Sequence, residues 1–328
     1  MGNSNSYISG IGSYLPSRTL TNNDLEKMVD TTNEWIIKRT GIKQRHISET
    51  NESTSVLATN ASLTALKEAK IKAEELDMII VATLTPDMMM PSTATRVQKN
   101  LGAKNAAAFD IAAACSGFIY GLSIADQFVL SGAMKNVLVV GAETLSKYVD
   151  WNDRSTSILF GDGAGAAIVS SNSRGSKILG FYLGSNGNPP REWLMLQGSG
   201  SANGSGILPN DKKNFILMNG PEIYKFGTNI LPEIISSIIS QCQLTLDNIS
   251  MIIPHQANRR IIEAASIKLN FPIEKFYVNI DRCANTSAAS IPIAMDDAIR
   301  DKQLKRGDKV ILAGFGAGLT WGGMLIEY

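Results

Sequence analysis

Short unbroken apolar runs alternate along this chain with longer stretches in which apolar residues recur every three or four positions. The runs 78–81 (MIIV), 137–140 (VLVV), 251–253 (MII) and 310–313 (VILA) are rich in β-branched and large aliphatic residues and predict buried strands. Strands that lack polar alternation belong to sheets covered on both faces, so the pattern predicts an α/β fold with mixed, mainly parallel sheets. The spacing of the runs carries more. Met78 and Val137 stand 59 residues apart, Met251 and Val310 again 59, and the second pair repeats the first at an offset of 173. Such a period is too long for a solenoid repeat and predicts two duplicated halves, 1–173 and 174–328, packed face to face.

Each half places an Ala/Ser-rich stretch between its two strands: 110–125 (DIAAACSGFIYGLSIA) and 281–294 (DRCANTSAASIPIA). Small side chains let backbones approach closely, so these stretches predict central helices held between two sheets. From Pro221 to Cys242, the residues Ile223, Phe226, Ile230, Ile234 and Ile238 mark an amphipathic helix with proline in its first turn. Pro232 predicts a kink or break in it. The Gly/Ser/Asn/Pro-dense stretch 184–206 predicts an irregular connection, and FGDGAGAAIV (160–169) a close turn before a strand.

Composition narrows the function. Thirty-one Lys and Arg against thirty Asp and Glu give a net charge of +1 over 328 residues. No basic surplus points to nucleic acid. The longest mostly apolar uncharged stretch, 310–326, is interrupted by glycines and reads as buried, not membrane-spanning. Three cysteines, Cys115, Cys242 and Cys283, form no paired framework, which favours a reducing, cytoplasmic setting. With only two histidines and no Cys-x-x-Cys, the sequence offers no metal site.

Candidate chemistry collects at three residues. Cys115, in AAACSGF (112–118), belongs at a strand-to-helix turn, where a helix N-terminus favours the thiolate; read alone, it is equally a buried structural cysteine. His255, in MIIPHQANRR (251–260), stands at the C-terminal end of a strand, where α/β sheets place ligands, whereas His46, among charged residues, reads as a surface histidine. Asn285 lies in the second half's counterpart of the Cys115 region. A neutral imidazole and an amide supply two hydrogen-bond donors for a developing oxyanion or enolate, which suits decarboxylation. The same trio also describes papain-like proteases. GFGAG (314–318) lacks the register of a dinucleotide fingerprint and reads as a turn presenting backbone N–H groups.

Taken together, WIIKRTGI (35–42), AAACSGF, FGDGAGA (160–166), MNGPEIYKF (218–226), PHQANRRI (254–261), NTSAAS (285–290) and GFGAGLTWG (314–322) resemble β-ketoacyl-acyl-carrier-protein synthase III, of the thiolase-like condensing enzymes, nearly end to end. The resemblance implies a five-layered α-β-α-β-α fold and a cofactor-free acyltransferase. Cys115 would take an acyl group from acyl-coenzyme A, and His255 with Asn285 would hold the malonyl thioester of an acyl carrier protein while CO2 leaves. Backbone amides of Cys115 and Ala317 would form the oxyanion hole. The product would be a 3-oxoacyl-acyl-carrier-protein that starts fatty-acid synthesis.

The resemblance further implies coenzyme A contacts at Trp35, Arg39, Thr40, Arg154, Gly220, Tyr224 and Asn258, with Trp35 and Arg154 flanking the adenine. It implies carrier-protein contact at Arg260, an acyl pocket at Met90, Leu145 and Met218, and a homodimer in which Met90 caps the partner's pocket. The chain departs from the family pattern at Ala284 and Ala317, where glycine is usual, and at Cys283. The other readings are a family relative in secondary metabolism, which primes polyketides, makes a signal molecule or transfers the acyl group elsewhere, and a non-catalytic partner subunit, against which the presence of all three residues counts.

Overall fold

The apolar runs form the strands they predict. The computed structural model describes residues 5–172, 174–190, 193–198 and 214–328. The first half carries β1 (Tyr7–Tyr14), β2 (Thr19–Thr21), α1 (Asn22–Leu25), α2 (Asn33–Thr40), β3 (Gln44–His46), α3 (Thr54–Ala69) and β4 (Met78–Ala82). It continues with α4 (Thr93–Leu101), β5 (Ala107–Ile111), α5 (Gly117–Leu130), β6 (Asn136–Thr144), α6 (Arg154–Ser157) and β7 (Asp162–Ser170). The second carries β8 (Ser176–Ser185), β9 (Leu194–Leu196), β10 (Ile216–Met218), α7 (Gly220–Gln241), β11 (Met251–Pro254) and α8 (Arg259–Leu269). It ends with α9 (Ile280–Cys283), α10 (Ser290–Arg300), β12 (Lys309–Gly316) and β13 (Thr320–Glu327).

Nine strands share one sheet in the order β11-β12-β13-β8-β1-β7-β6-β4-β5. From the pairings, β1, β4, β5 and β6 run one way and only β7 opposes them, while β8, β11 and β12 run one way and only β13 opposes them. The sheet is therefore mixed, with one reversed strand at the same place in each half. Both 59-residue spacings are strand registers: Met78 faces Val137 across β4 and β6, and Met251 faces Val310 across β11 and β12. The two half-sheets meet at β1 and β8, through Tyr7 with Lys177 and Ile8 with Ser176.

Helices make the other three layers. α3 and α4 cover one half-sheet and α7 and α8 the other. Between the half-sheets lie α5 and α10, whose Phe118, Leu122, Ile291 and Met295 join one core with residues of β4, β6, β12 and β13. Each such side chain, once fully buried, contributes about 1.5–3 kcal/mol. Small residues set the approach. At Gly141 of β6 a Cβ would overlap the Ala288 carbonyl, so only glycine lets this strand lie against the segment leading into α10.

Four expectations change. α7 runs unbroken through Pro232. Proline leaves the Thr228 carbonyl without its intrahelical donor, and the Lys268 ammonium of α8 donates to it at 2.9 Å. Of the glycines of 160–169, Gly161 precedes β7, which starts at Asp162, while Gly163 and Gly165 lie within it; Gly165 faces Pro292 of the central helix, where a side chain has no room. Within 184–206, Leu194–Leu196 is a strand paired with Ile216–Met218, while 191, 192 and 199–206 lie outside the described residues. His46 is half-buried on β3, its Nδ1 2.7 Å from the Pro16 carbonyl.

Candidate active site

The chain leaves β5, makes a 3-10 turn over Ala114–Ser116 and enters α5 at Gly117, so Cys115 stands at the strand-to-helix junction. Ala114 takes a left-handed φ of 47° to turn the chain there. The Ser116 and Thr320 hydroxyls both reach the Ala113 carbonyl, at 2.6 and 2.9 Å, tying the turn to β13. Gly316 backs the cysteine: a Cβ at that position would lie 2.8 Å from the Cys115 nitrogen and 3.1 Å from Sγ. Cys115 itself is buried. Burial pushes the thiol up to about 12, and the nearby Glu143 adds to the shift. The resting thiol is therefore neutral, contrary to what the helix N-terminus alone predicts.

His255 follows β11, its backbone N–H donating to the Ala313 carbonyl at 2.7 Å and extending the ladder to β12. The ring packs edge-on against Phe315 with centroids 5.6 Å apart. Burial lowers its pKa to about 3, so the imidazole is neutral. Nδ1 lies 2.7 Å from Ser290 Oγ. Among the described residues the Ser290 hydroxyl has no other acceptor, so it donates to Nδ1 and leaves Nε2 carrying the ring proton.

Asn285 is fixed by backbone and side chain. Its N–H donates to Leu159 and its carbonyl accepts from Gly161, both at 3.0 Å. Oδ1 accepts from the Ser287 N–H at 2.9 Å, which leaves the Nδ2 donors for the cavity. Ala284 (φ 57°, ψ −161°) and Ser287 (φ 49°) flank it in left-handed conformations. Together with Ala114 they concentrate backbone strain around Cys115, as functional sites commonly do.

Cys115, His255 and Asn285 line one cavity of about 460 Å³, together with Phe315 and Gly316. Of the other sequence candidates, Trp35, Arg39, Thr40, Met218, Gly220, Tyr224, Asn258 and Arg260 line the same cavity. Arg154 sits over the Trp35 ring at 4.8 Å and Arg39 at 5.6 Å. Arg154 and Trp35 touch each other, so an adenine between them requires Arg154 to swing away. The Thr40 hydroxyl is engaged within its own chain, donating to Ile36 and accepting from Ile42. Asn258 caps α8 through the Arg260 N–H and donates to the Arg39 carbonyl, joining two walls of the mouth. Arg260 stacks on Tyr224 at 5.1 Å.

Four candidates stand apart from the cavity wall: Arg154, which packs on Trp35, and three others. Leu145 is buried in the core cluster behind Trp35 and Met218. Met90 is 82% exposed and outside this chain's own cavity. At the terminal turn the wall is formed by Phe315 and Gly316, not Ala317, whose carbonyl accepts from Thr320 at 3.1 Å. Sequence reasoning missed Gly316, Ser290 and Glu143. The first was signalled by the glycine spacing of the turn and Ser290 by its place at the end of NTSAAS (285–290); Glu143 carries no motif of its own. Among the described residues no group of three or more His, Cys, Asp or Glu is arranged to hold a metal ion.

Two family models match the chain: 3-oxoacyl-(acyl-carrier-protein) synthase III over residues 109–187 and its C-terminal region over 239–328. Among curated relatives, the β-ketoacyl-(acyl-carrier-protein) synthase III of Caldanaerobacter subterraneus subsp. tengcongensis is 53% identical, covering 98% of this chain and 97% of that protein. The protein of the same name from Clostridium kluyveri is 50% identical, covering 98% of each. The crystal structure of 3-oxoacyl-(acyl-carrier-protein) synthase III from Aquifex aeolicus VF5 superposes with a TM-score of 0.91 at 48% identity, covering 98% of this chain and 100% of the other.

Proposed function

The chain belongs to the 3-oxoacyl-(acyl-carrier-protein) synthase III family, and from that premise we propose how it works. It is a condensing acyltransferase that starts fatty-acid synthesis by joining an acyl-coenzyme A primer to malonyl-acyl-carrier-protein. The observation that carries the mechanism is the convergence of Cys115, His255 and Asn285 on one cavity, the last two presenting N–H donors.

In the first step Cys115 Sγ attacks the primer thioester carbonyl. The carbon–sulfur bond to coenzyme A breaks, and the thiol proton leaves with the coenzyme A sulfur. In the second, malonyl-acyl-carrier-protein loses CO2, and the electron pair of the broken carbon–carbon bond passes to the thioester enolate. His255 Nε2–H and Asn285 Nδ2–H hold that enolate oxygen. A neutral imidazole suits this role because it keeps one N–H donor while placing no charge in the dry cavity. The enolate carbon attacks the Cys115 thioester, the backbone amide of Cys115 holds the oxyanion with that of Ala317, beside the wall residue Gly316, as the second donor, and the Cys115 sulfur departs to regain a proton. Neither step calls for a bound cofactor.

Trp35, Arg39, Thr40, Arg154, Gly220, Tyr224 and Asn258 receive coenzyme A at the mouth, and Arg260 meets the acidic carrier protein. The acyl chain lies toward Met218, with Leu145 behind the wall. The exposed Met88, Met89 and Met90 support a homodimer, because apolar side chains 41%, 69% and 82% exposed in one run mark a contact surface. Met90 then caps the partner's acyl pocket, and the thiols support a cytoplasmic setting. No helix among the described residues is long and apolar enough to cross a membrane.

Incubation with acyl-coenzyme A should add one acyl mass to Cys115, and malonyl-acyl-carrier-protein should discharge it with CO2 release. Acylation without CO2 release would shift the reading to a relative that transfers the acyl group to another nucleophile. Full condensing activity in Cys115→Ala would end the assignment.

A further inference from the structure

Glu143, at the end of β6, is fully buried and has no part in the mechanism above. Its carboxyl accepts from the Thr85 hydroxyl at 2.6 Å, the Thr83 hydroxyl at 3.2 Å and the Leu84 N–H at 3.1 Å, so the loop after β4 holds it in place. Gly141, two residues earlier, lets β6 lie directly against Ala288, which brings the carboxyl up to the 3-10 turn that begins at Ser287. The Ser287 hydroxyl is buried and completes no hydrogen bond, and its 3-10 turn packs against both β6 and the Cys115 turn. A buried carboxyl, an unpartnered hydroxyl and a buried thiol thus form one cluster.

We propose that Glu143 is a positioning residue for Cys115, whose charge, felt through the buried Ser287 cluster, restrains thiolate formation in the free protein. The inference takes Cys115 as the acylated residue, but its test reads the thiol of the free protein. It therefore fails or stands apart from the condensing reaction.

A negative charge in this dry site opposes a second one on Cys115. Burial pushes the Glu143 carboxyl up to about 7, so its charge changes in the range where the enzyme works. The other ionisable groups around it are few. Tyr148, on the turn after β6, is raised by burial and then by Glu143 and Asp87. Asp87 is held by Ser55 and Arg96. Asp162 on β7 is held by Ser48 and Ser146, and His255 faces the thiol from across the cavity.

The test is the pH profile of Cys115 alkylation by iodoacetamide, read by mass spectrometry of the peptide. Glu143→Gln should move the profile to lower pH and raise the rate at pH 8 roughly threefold or more. Glu143→Asp keeps the charge and should leave the profile where it was. Thr85→Val keeps the carboxyl but removes its shortest donor, which favours the neutral acid, and should shift the profile in the same direction as Glu143→Gln. A merely structural role predicts loss of melting temperature with no directional shift. An unmoved profile in a folded Glu143→Gln, or equal shifts in Glu143→Asp and Glu143→Gln, overturns the proposal. Should Glu143→Gln not fold, an unmoved profile in Thr85→Val overturns it as well.

Discussion

His255 Nδ1 and Ser290 Oγ lie 2.7 Å apart, both buried, one at the end of a strand and the other at the first position of the central helix α10. The serine fixes which ring nitrogen faces the substrate. In Ser290→Ala the tautomer is no longer set and the ring loses an anchor. The enolate-forming step should slow by about tenfold, the worth of one ordinary hydrogen bond in a dry site. Acylation of Cys115, which does not need the Nε2 donor, should hold its rate. Separate measurement of acyl-Cys115 formation and of CO2 release checks this, and equal losses in both would show that Ser290 serves the fold alone.

The thiol and the imidazole are both neutral at rest, one pushed up to about 12 and the other down to about 3. No thiolate–imidazolium pair then exists near neutrality. Alkylation of the free protein should rise by less than tenfold per unit near pH 7, where Glu143 takes up its charge, and by about tenfold per unit from pH 8 to pH 9, following the thiolate fraction. His255 should add no limb near pH 6.5, because its imidazole is already unprotonated there. A plateau reached below pH 8 would instead reveal a preformed ion pair.

Gly316 leaves no space behind the cysteine. In Gly316→Ala the added carbon would stand 2.8 Å from the Cys115 nitrogen and 3.1 Å from its sulfur. The nitrogen belongs to a turn tied down by Ser116 and Thr320, so the turn must shift against those bonds and carries the side chain with it. A displacement approaching 1 Å costs on the order of a hundredfold in a positioned reaction. Acyl transfer to Cys115 should fall by that order, and the melting temperature should fall too, because the overlap with backbone costs about 1–3 kcal/mol. Retained acylation would mean that the turn has slack.

The architecture was legible because strand register is written locally. Met78, Val137, Met251 and Val310 sit in apolar runs whose spacing repeats, and the repeat is the pairing itself. Cys115 and His255 were legible for a related reason, since both follow such runs. What escaped is non-local. Glu143 reads as an ordinary charged residue until loop 83–85 folds over it. Pro232 reads as a break until Lys268, 36 positions later, supplies the donor that its helix lacks. The strand Leu194–Leu196 pairs only with Ile216–Met218 across a long connection, which no local pattern reveals.

Ala284 holds a backbone conformation that glycine prefers. At φ 57° and ψ −161° it occupies a region nearly reserved for glycine, at a cost of about 1–3 kcal/mol for any side chain. Its methyl group is wholly buried beside Phe160 and Ile280, which offsets roughly 1 kcal/mol. Glycine would relieve the strain but lose the methyl contact and pay more chain entropy on folding, so Ala284→Gly should stay within about 1 kcal/mol of the parent in urea denaturation. A β-branched side chain has no such balance. Ala284→Val should lose about 3 kcal/mol or more and displace the neighbouring Asn285, with condensing activity falling before the fold does. Equal stability of the valine and glycine variants would mean that the conformation at 284 is not the strained one described.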